Sequence, residues 1–282
     1  MGSVFYKDNV AELIEMALKE DMGTGDITTL SVIDAEREAH GIYKAKEDGI
    51  ICGLDLISKV YHAISDDIHV VYHAKDGDEV KKGDIVAEVF GNAQILLSGE
   101  RVGLNLVQRL SGVSTATRKA VESVKNYDAK IVDTRKTTPG MRVLEKYAVR
   151  VGGGNNHRFG LADGILIKDN HITAAGGISE AVSKAKANAP HTIKIEVEVE
   201  SIDQAKEAVE AGADIIMLDN MTVEQMKACV EMIAGRALTE ASGNMGERNL
   251  AEVASTGVDF ISIGALTHSV KSLDISLKFT LI

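Results

Sequence analysis

From residue 128 onward the chain repeats one rhythm, and that rhythm constrains the fold more than any other feature. An apolar run of strand length is followed by a polar or glycine-bearing turn and then by a helical stretch. The apolar runs are Lys130–Asp133, Gly164–Lys168, Ile193–Val199, Asp214–Leu218, Ala237–Glu240 and Asp259–Ile263. Helical patterns such as Ile202–Ala211 and Val223–Ile233 fall between most of them. Strand–helix units repeated in one direction predict a parallel sheet, because a parallel neighbour is reached only through a crossover. The runs end in Asp133-Thr-Arg-Lys136, Lys168-Asp-Asn-His171, Glu196-Val-Glu198, Asp219-Asn220, Glu240-Ala-Ser-Gly243 and Gly264-Ala-Leu-Thr267. An open sheet gathers its chemistry at one switch point, whereas a TIM-type barrel draws it from the C-terminal ends of several strands. Reactive ends on every run therefore predict a TIM-like α/β barrel, incomplete because only six or seven strands are counted.

The residues before this region read differently. Asp8 is expected to cap a helix to about Lys19, with Val10, Leu13, Ile14 and Leu18 on one face. A loop follows over Glu20–Thr29. From His40 to Leu97 short β-rich runs alternate with Gly and Asp turns, interrupted by a helix at Leu54–Ile64. A long helical pattern then starts at Ser98, and Gly112 is expected to bend or divide it. The net charge of −11 disfavours nucleic acid and anionic membrane as partners, since both reward basic patches. Cys52 and Cys229 have no metal-type spacing and read as buried hydrophobes in a reducing compartment. No run has the length of a membrane span and the first residues lack a leader pattern, so a cytoplasmic location is expected.

Several strand ends carry chemistry. Thr134, Arg135 and Lys136 precede a Pro-Gly turn. Paired cations there suit carboxylate or phosphate, Arg as a planar fork and Lys as a mobile point charge; an isolated basic turn in solvent is the bland alternative. In Gly152-Gly-Gly-Asn-Asn-His157-Arg158, glycines permit close backbone approach to a ligand and His157 and Arg158 add donors. Lys168 ends an otherwise apolar strand. Along Lys194–Glu200 the side chains alternate, so Glu196, Glu198 and Glu200 share a face that a barrel turns inward. Charges there must be paired or used. Glu198 and Asp219 suit ribose hydroxyls, or magnesium held indirectly, and neither has the spacing of an all-protein metal site. The loops at Ser242, Gly243 and Asn244 and at Ile263, Gly264 and Ala265 follow the last strands, where barrels often bind phosphate. His268 is as much a structural histidine as a catalytic one. A pocket collecting Arg135, Lys136, Arg158 and Lys168 in an acidic protein implies a ligand with several negative charges.

The motifs DTRKTTPGMR, GGGNNHRFGLADGILIKDNHI, IEVEVES, IIMLDNM, EASGN and SIGALTHS, in that order, resemble the quinolinate phosphoribosyltransferase family. EDMGTGDIT and ERVGLNLVQRLSGV nearer the start are similar too, so the resemblance covers nearly the whole chain. It implies an N-terminal α/β sandwich domain over 1–112, joined by the segment 271–282, and an incomplete seven-stranded α/β barrel over 113–270. It further implies a homodimer or larger assembly, with Arg101 supplied across the interface. The implied reaction joins quinolinate to magnesium-bound phosphoribosyl pyrophosphate. It releases nicotinate mononucleotide, pyrophosphate and carbon dioxide, a step of NAD synthesis. By motif, Arg135, His157, Arg158 and Lys168 resemble quinolinate ligands, and Lys136 lies between quinolinate and the phosphoribosyl group. Glu198 and Asp219 resemble the acids facing ribose and magnesium. Ser242, Gly243, Asn244, Ile263, Gly264 and Ala265 resemble phosphate-loop positions. Lys136, Lys168, Glu198 and Asp219 are the expected catalytic set. Met245 departs from the pattern, where a β-branched aliphatic is expected. On the residues alone three other readings stay open: a relative with another anionic ring substrate, a Schiff-base aldolase using Lys168, and a non-catalytic anion sensor.

Overall fold

The computed structural model describes residues 4–282, which form two compact units. The first comprises the described residues up to Arg118 together with Thr138–Gly153 and Val270–Ile282. Helix α1 (Val4–Met22) begins ahead of Asp8, so Asp8 lies within the helix rather than capping it. Val10, Ile14 and Leu18 are buried on one face, as their spacing requires. The expected loop is shorter than Glu20–Thr29, because α2 (Ile27–Val32) starts within it. Asp26 caps α2, accepting from the Thr29 N–H at 3.0 Å.

Four antiparallel strands form the sheet of this unit, in the order β12 (Ile275–Leu281), β1 (Glu38–Ala45), β5 (Ile85–Asn92), β3 (His69–Tyr72). A two-stranded ribbon joins β2 (Gly49–Ile50) to β4 (Glu79–Val80). Alternation on β1 buries Ala39, Tyr43 and Ala45. They share a core with Ile57 and Tyr61 of α3 (Asp55–His62) and with Leu96, Leu104 and Val107 of α4 (Ala93–Ser123). Gly112 does not divide α4, which runs unbroken from Ala93 to Ser123. A Cβ at Gly112 would stand 2.3 Å from the Lys271 carbonyl, so the glycine serves close packing instead. The unit also takes in α5 (Arg142–Val151), a stretch that the expected division placed with the barrel.

The second unit spans Lys119–Thr137 and Gly154–Ser269. Its six parallel strands are β6 (Lys130–Val132), β7 (Ile165–Ile167), β8 (Ile195–Val199), β9 (Ile215–Asp219), β10 (Leu238–Ser242) and β11 (Phe260–Ser262). They pair in the order β6-β11-β10-β9-β8-β7. The intervening helices are α6 (Asp169–Ala175), α7 (Ile178–Asn188), α8 (Ile202–Ala211), α9 (Val223–Ile233) and α10 (Leu250–Ala254), with α11 (Ala265–His268) after β11. Ser201 and Thr222 cap α8 and α9 through their hydroxyls. At the β6 edge Val132 makes a single parallel bridge to Asn155. The sheet curves, because side chains beside β6 reach β8 and β10, as the site shows.

Candidate active site

The C-terminal ends of the parallel strands surround a cavity of about 810 Å³ within the second unit. Its geometry starts at Asp133, fully buried just after β6. The Asp133 carboxylate accepts the His157 backbone N–H at 2.9 Å and the Asn156 amide at 2.6 Å. The segment carrying His157 and Arg158 is thereby clamped beside β6. The turn after Asp133 is also tied down. Lys136 N–H donates to the Thr134 hydroxyl at 3.1 Å, and the Thr267 hydroxyl donates to the Lys136 carbonyl at 2.8 Å.

His157 reaches across to the middle of the sheet. Its Nε2 lies 3.1 Å from Glu196 Oε2 on β8 and 3.4 Å from Glu240 Oε2 on β10. Its Nδ1 accepts the Arg158 backbone N–H at 2.8 Å. Burial opposes charge on the imidazole, but hydrogen bonds and charge from Glu196 and Glu240 outweigh it and push the pKa up to about 10. The Glu196 carboxyl is itself pushed up, first by burial and also by the neighbouring Glu240 charge, against the opposing pull of His157. An imidazolium would lose the acceptor that Arg158 uses. The extra proton therefore belongs to the trio, residing on the ring or on a carboxyl.

The other cations ring the same space. Arg158 donates through Nη1 to the Gly164 carbonyl at 2.9 Å. Burial first, and then the like charge of Arg135, lower its pKa, which places the two guanidinium groups within electrostatic reach. Lys168 at the end of β7 is ion-paired to Glu198 of β8. Its backbone N–H donates to His171 Nδ1 at 3.0 Å, which makes His171 a helix-start residue of α6. Asp219 accepts from the Asn220 amide at 2.7 Å. Gly243 has φ +92°, and a Cβ there would stand 2.3 Å from Asn220 Oδ1, so glycine is required.

Thr134, Arg135, Lys136, His157 and Arg158 all line the cavity. So do Lys168, Glu198 and Asp219, and from the loops Ser242, Gly243, Asn244, Gly264 and Ala265. Two expected residues do not. Ile263 is buried, its N–H bonded to the Val132 carbonyl at 3.0 Å, so neither side chain nor amide faces the cavity. Arg101 is an exposed residue of α4 in the first unit. Sequence reasoning missed Asp133, Glu196 and Glu240 as site residues. For Glu196 the signal was present, since alternation along Lys194–Glu200 turned it inward. Glu240 opened one of the reactive strand ends, Glu240-Ala-Ser-Gly243, but Leu-Thr-Glu-Ala-Ser has no clear alternation to turn it inward.

Matches to known proteins agree with this layout. Residues 26–111 match the model described as "Quinolinate phosphoribosyl transferase, N-terminal domain", and 113–278 match the corresponding C-terminal domain. The chain is 49% identical over 270 residues to a "Probable nicotinate-nucleotide pyrophosphorylase [carboxylating]" of Bacillus subtilis, covering 96% of this chain and 93% of that protein. It is 43% identical over 285 residues to the chloroplastic nicotinate-nucleotide pyrophosphorylase [carboxylating] of Arabidopsis thaliana, covering 94% of this chain and 81% of that one. The solved nicotinate-nucleotide pyrophosphorylase of Francisella tularensis superposes with a TM-score of 0.93 at 41% identity, covering 97% of this chain and 96% of that one. With both halves matched by paired domain models and relatives this similar over nearly full length, the chain belongs to the quinolinate phosphoribosyltransferase family.

Proposed function

We propose that the cavity transfers the phosphoribosyl group of phosphoribosyl pyrophosphate to quinolinate with decarboxylation, giving nicotinate mononucleotide, pyrophosphate and carbon dioxide for NAD synthesis. The observation that carries this reading is the convergence of Arg135, Lys136, Arg158 and Lys168 on one cavity in a chain of net charge −11. Arg135, Arg158 and Lys168 hold the two ring carboxylates, fixing the pyridine nitrogen in line with the anomeric carbon. The expected quinolinate contact of His157 is not retained, because the Arg158 N–H occupies its Nδ1 and Glu196 and Glu240 its Nε2. Lys136 sits between ring and sugar and takes up charge as pyrophosphate departs. Glu198 and Asp219 accept from ribose hydroxyls, and the loops at 242–244 and 264–265 hold the 5′-phosphate. Magnesium carried in by the pyrophosphate would neutralise the leaving group. Glu198 and Asp219 fit a hydrated ion held in this indirect way, since they bring carboxylates to the cavity. The trio of His157, Glu196 and Glu240 does not fit magnesium, because it offers a ring nitrogen at hydrogen-bond spacing. Once ribosylated, the ring nitrogen is cationic and accepts the electrons left by carbon dioxide.

We also read the curved six-stranded sheet as a seven-stranded incomplete barrel, with the Asn155 segment beside β6 as the extra strand. The protein acts as a homodimer or larger in the cytoplasm, with Arg101 handed to the other subunit's site. Its exposure on α4 and the buried free thiols of Cys52 and Cys229 support these readings. A spectrophotometric assay with quinolinate, phosphoribosyl pyrophosphate and magnesium tests the function. Product formation in the wild type, lowered about 10- to 100-fold in folded Arg135→Ala and Lys136→Ala variants, is the expected result. A wild type that forms no pyrophosphate contradicts it.

A further inference from the structure

Decarboxylation leaves one chemical need without a residue. When carbon dioxide departs, the bond from C2 to its carboxylate breaks and the electron pair stays on C2, beside the ribosylated nitrogen. That carbon carries hydrogen in the product, so one proton must reach it in every turnover.

The structure builds a store for a proton at the cavity wall. Glu196 and Glu240 are 4% and 3% exposed, on strands β8 and β10 either side of β9, and His157 Nε2 lies between them at 3.1 and 3.4 Å. Each carboxyl keeps one oxygen, Oε1, that is buried without a hydrogen-bond partner. Two buried carboxylates at this separation resist joint ionisation, and an unpartnered carboxylate oxygen is costly when charged. One extra proton relieves both conditions, on either the ring or a carboxyl. The imidazole cannot swing away, because Asp133 fixes its backbone and the Arg158 N–H occupies Nδ1. Around the trio stand Asp133 after β6, Arg158 with Arg135 beyond it, and the Lys168–Glu198 pair at the ends of β7 and β8. Glu240 borders the cavity and Glu196 does not.

We propose that His157, Glu196 and Glu240 store the proton that replaces the departing carboxylate at C2, and that Glu240 delivers it. This rests on the quinolinate reading above. The C2–carboxylate bond breaks, and its electron pair takes the proton from the Glu240 carboxyl, forming the new C–H bond. Glu240 is left as a carboxylate, and water reprotonates the trio after product leaves.

The test is a first-turnover experiment on the whole protein with quinolinate, phosphoribosyl pyrophosphate and magnesium, following pyrophosphate and carbon dioxide separately. In Glu240→Gln and Glu196→Gln, carbon dioxide release should slow at least about tenfold more than pyrophosphate release, in line with loss of a proton donor. The ribosylated dicarboxylate should then accumulate. Equal slowing of both releases, or no slowing of either, overturns the proposal. Thermal melting establishes that the variants fold. If they do not, the wild type decides: its carbon dioxide step should fail relative to pyrophosphate release as pH rises through the alkaline range, where the trio gives up its extra proton. A constant ratio across that range overturns the store. A wild type that releases no pyrophosphate sinks the quinolinate reading itself, whereas pyrophosphate release with an unaltered carbon dioxide ratio sinks only the store.

Discussion

His157 is held at three points, by Asp133 through its backbone, by Arg158 at Nδ1 and by two carboxylates at Nε2. Its raised pKa links this residue to folding. Stability from the pairing is fully present below about 6.5, the ordinary value, and is lost as pH climbs towards about 10. Glu196, also raised, acts in the same direction, since the folded protein binds its proton more tightly. Urea unfolding should therefore show the wild type weakening from neutral to alkaline pH, with a flatter profile in His157→Asn; identical profiles would refute the linkage. Gly243→Ala should cost about 1–3 kcal/mol from its positive φ alone, with more from the Asn220 clash. A raised KM for phosphoribosyl pyrophosphate should accompany the lower melting temperature. Arg135→Ala should lower kcat/KM for quinolinate about 10- to 100-fold, the worth of charged hydrogen bonds, in a variant that still unfolds cooperatively. Cations at strand ends were legible in the sequence because Arg and Lys interrupt an apolar pattern. Glu240 was not, because its meaning depends on which strand faces which, and that is set by curvature rather than by local pattern.

At the scale of elements, periodicity located the six strands of the repeated region and the helices α8 and α9, because alternation and helical spacing each dictate a buried face. It failed where tertiary contact overrides local preference. Gly112 looks like a break in α4, yet the helix continues because the missing side chain admits the Lys271 carbonyl. The pairing of α5 with α4 was likewise invisible. Its centre is Glu145, fully buried, which accepts from Arg109 at 2.8 and 3.1 Å and from the Thr138 N–H at 2.9 Å and hydroxyl at 2.8 Å. Removing one partner of a buried ion pair leaves the other uncompensated. Glu145→Ala should therefore lower unfolding free energy by about 3–5 kcal/mol, read from a urea titration. A loss under about 1 kcal/mol would mean that water replaces these bonds.

At the scale of the whole molecule, each compact unit is assembled from separated stretches of chain. Residues 138–153 and 270–282 complete the first unit, so its sheet and helices need sequence that follows the start of the second. Sequence repetition found the parallel sheet, whereas the return of 138–153 had no local signal and that of 271–282 was implied only by the family resemblance. If Arg101 serves another subunit, mixing Arg101→Ala with Lys168→Ala, each inactive alone, should restore activity. Continued inactivity of the mixture would count against shared sites. The most direct measurement of the central claim is a crystal structure with quinolinate and a non-reacting analogue of phosphoribosyl pyrophosphate bound. Both ring carboxylates should lie within hydrogen-bond distance of Arg135, Arg158 and Lys168, with the 5′-phosphate on the loops at 242–244 and 264–265. Quinolinate bound outside this cavity, or touching only one of those cations, would contradict it.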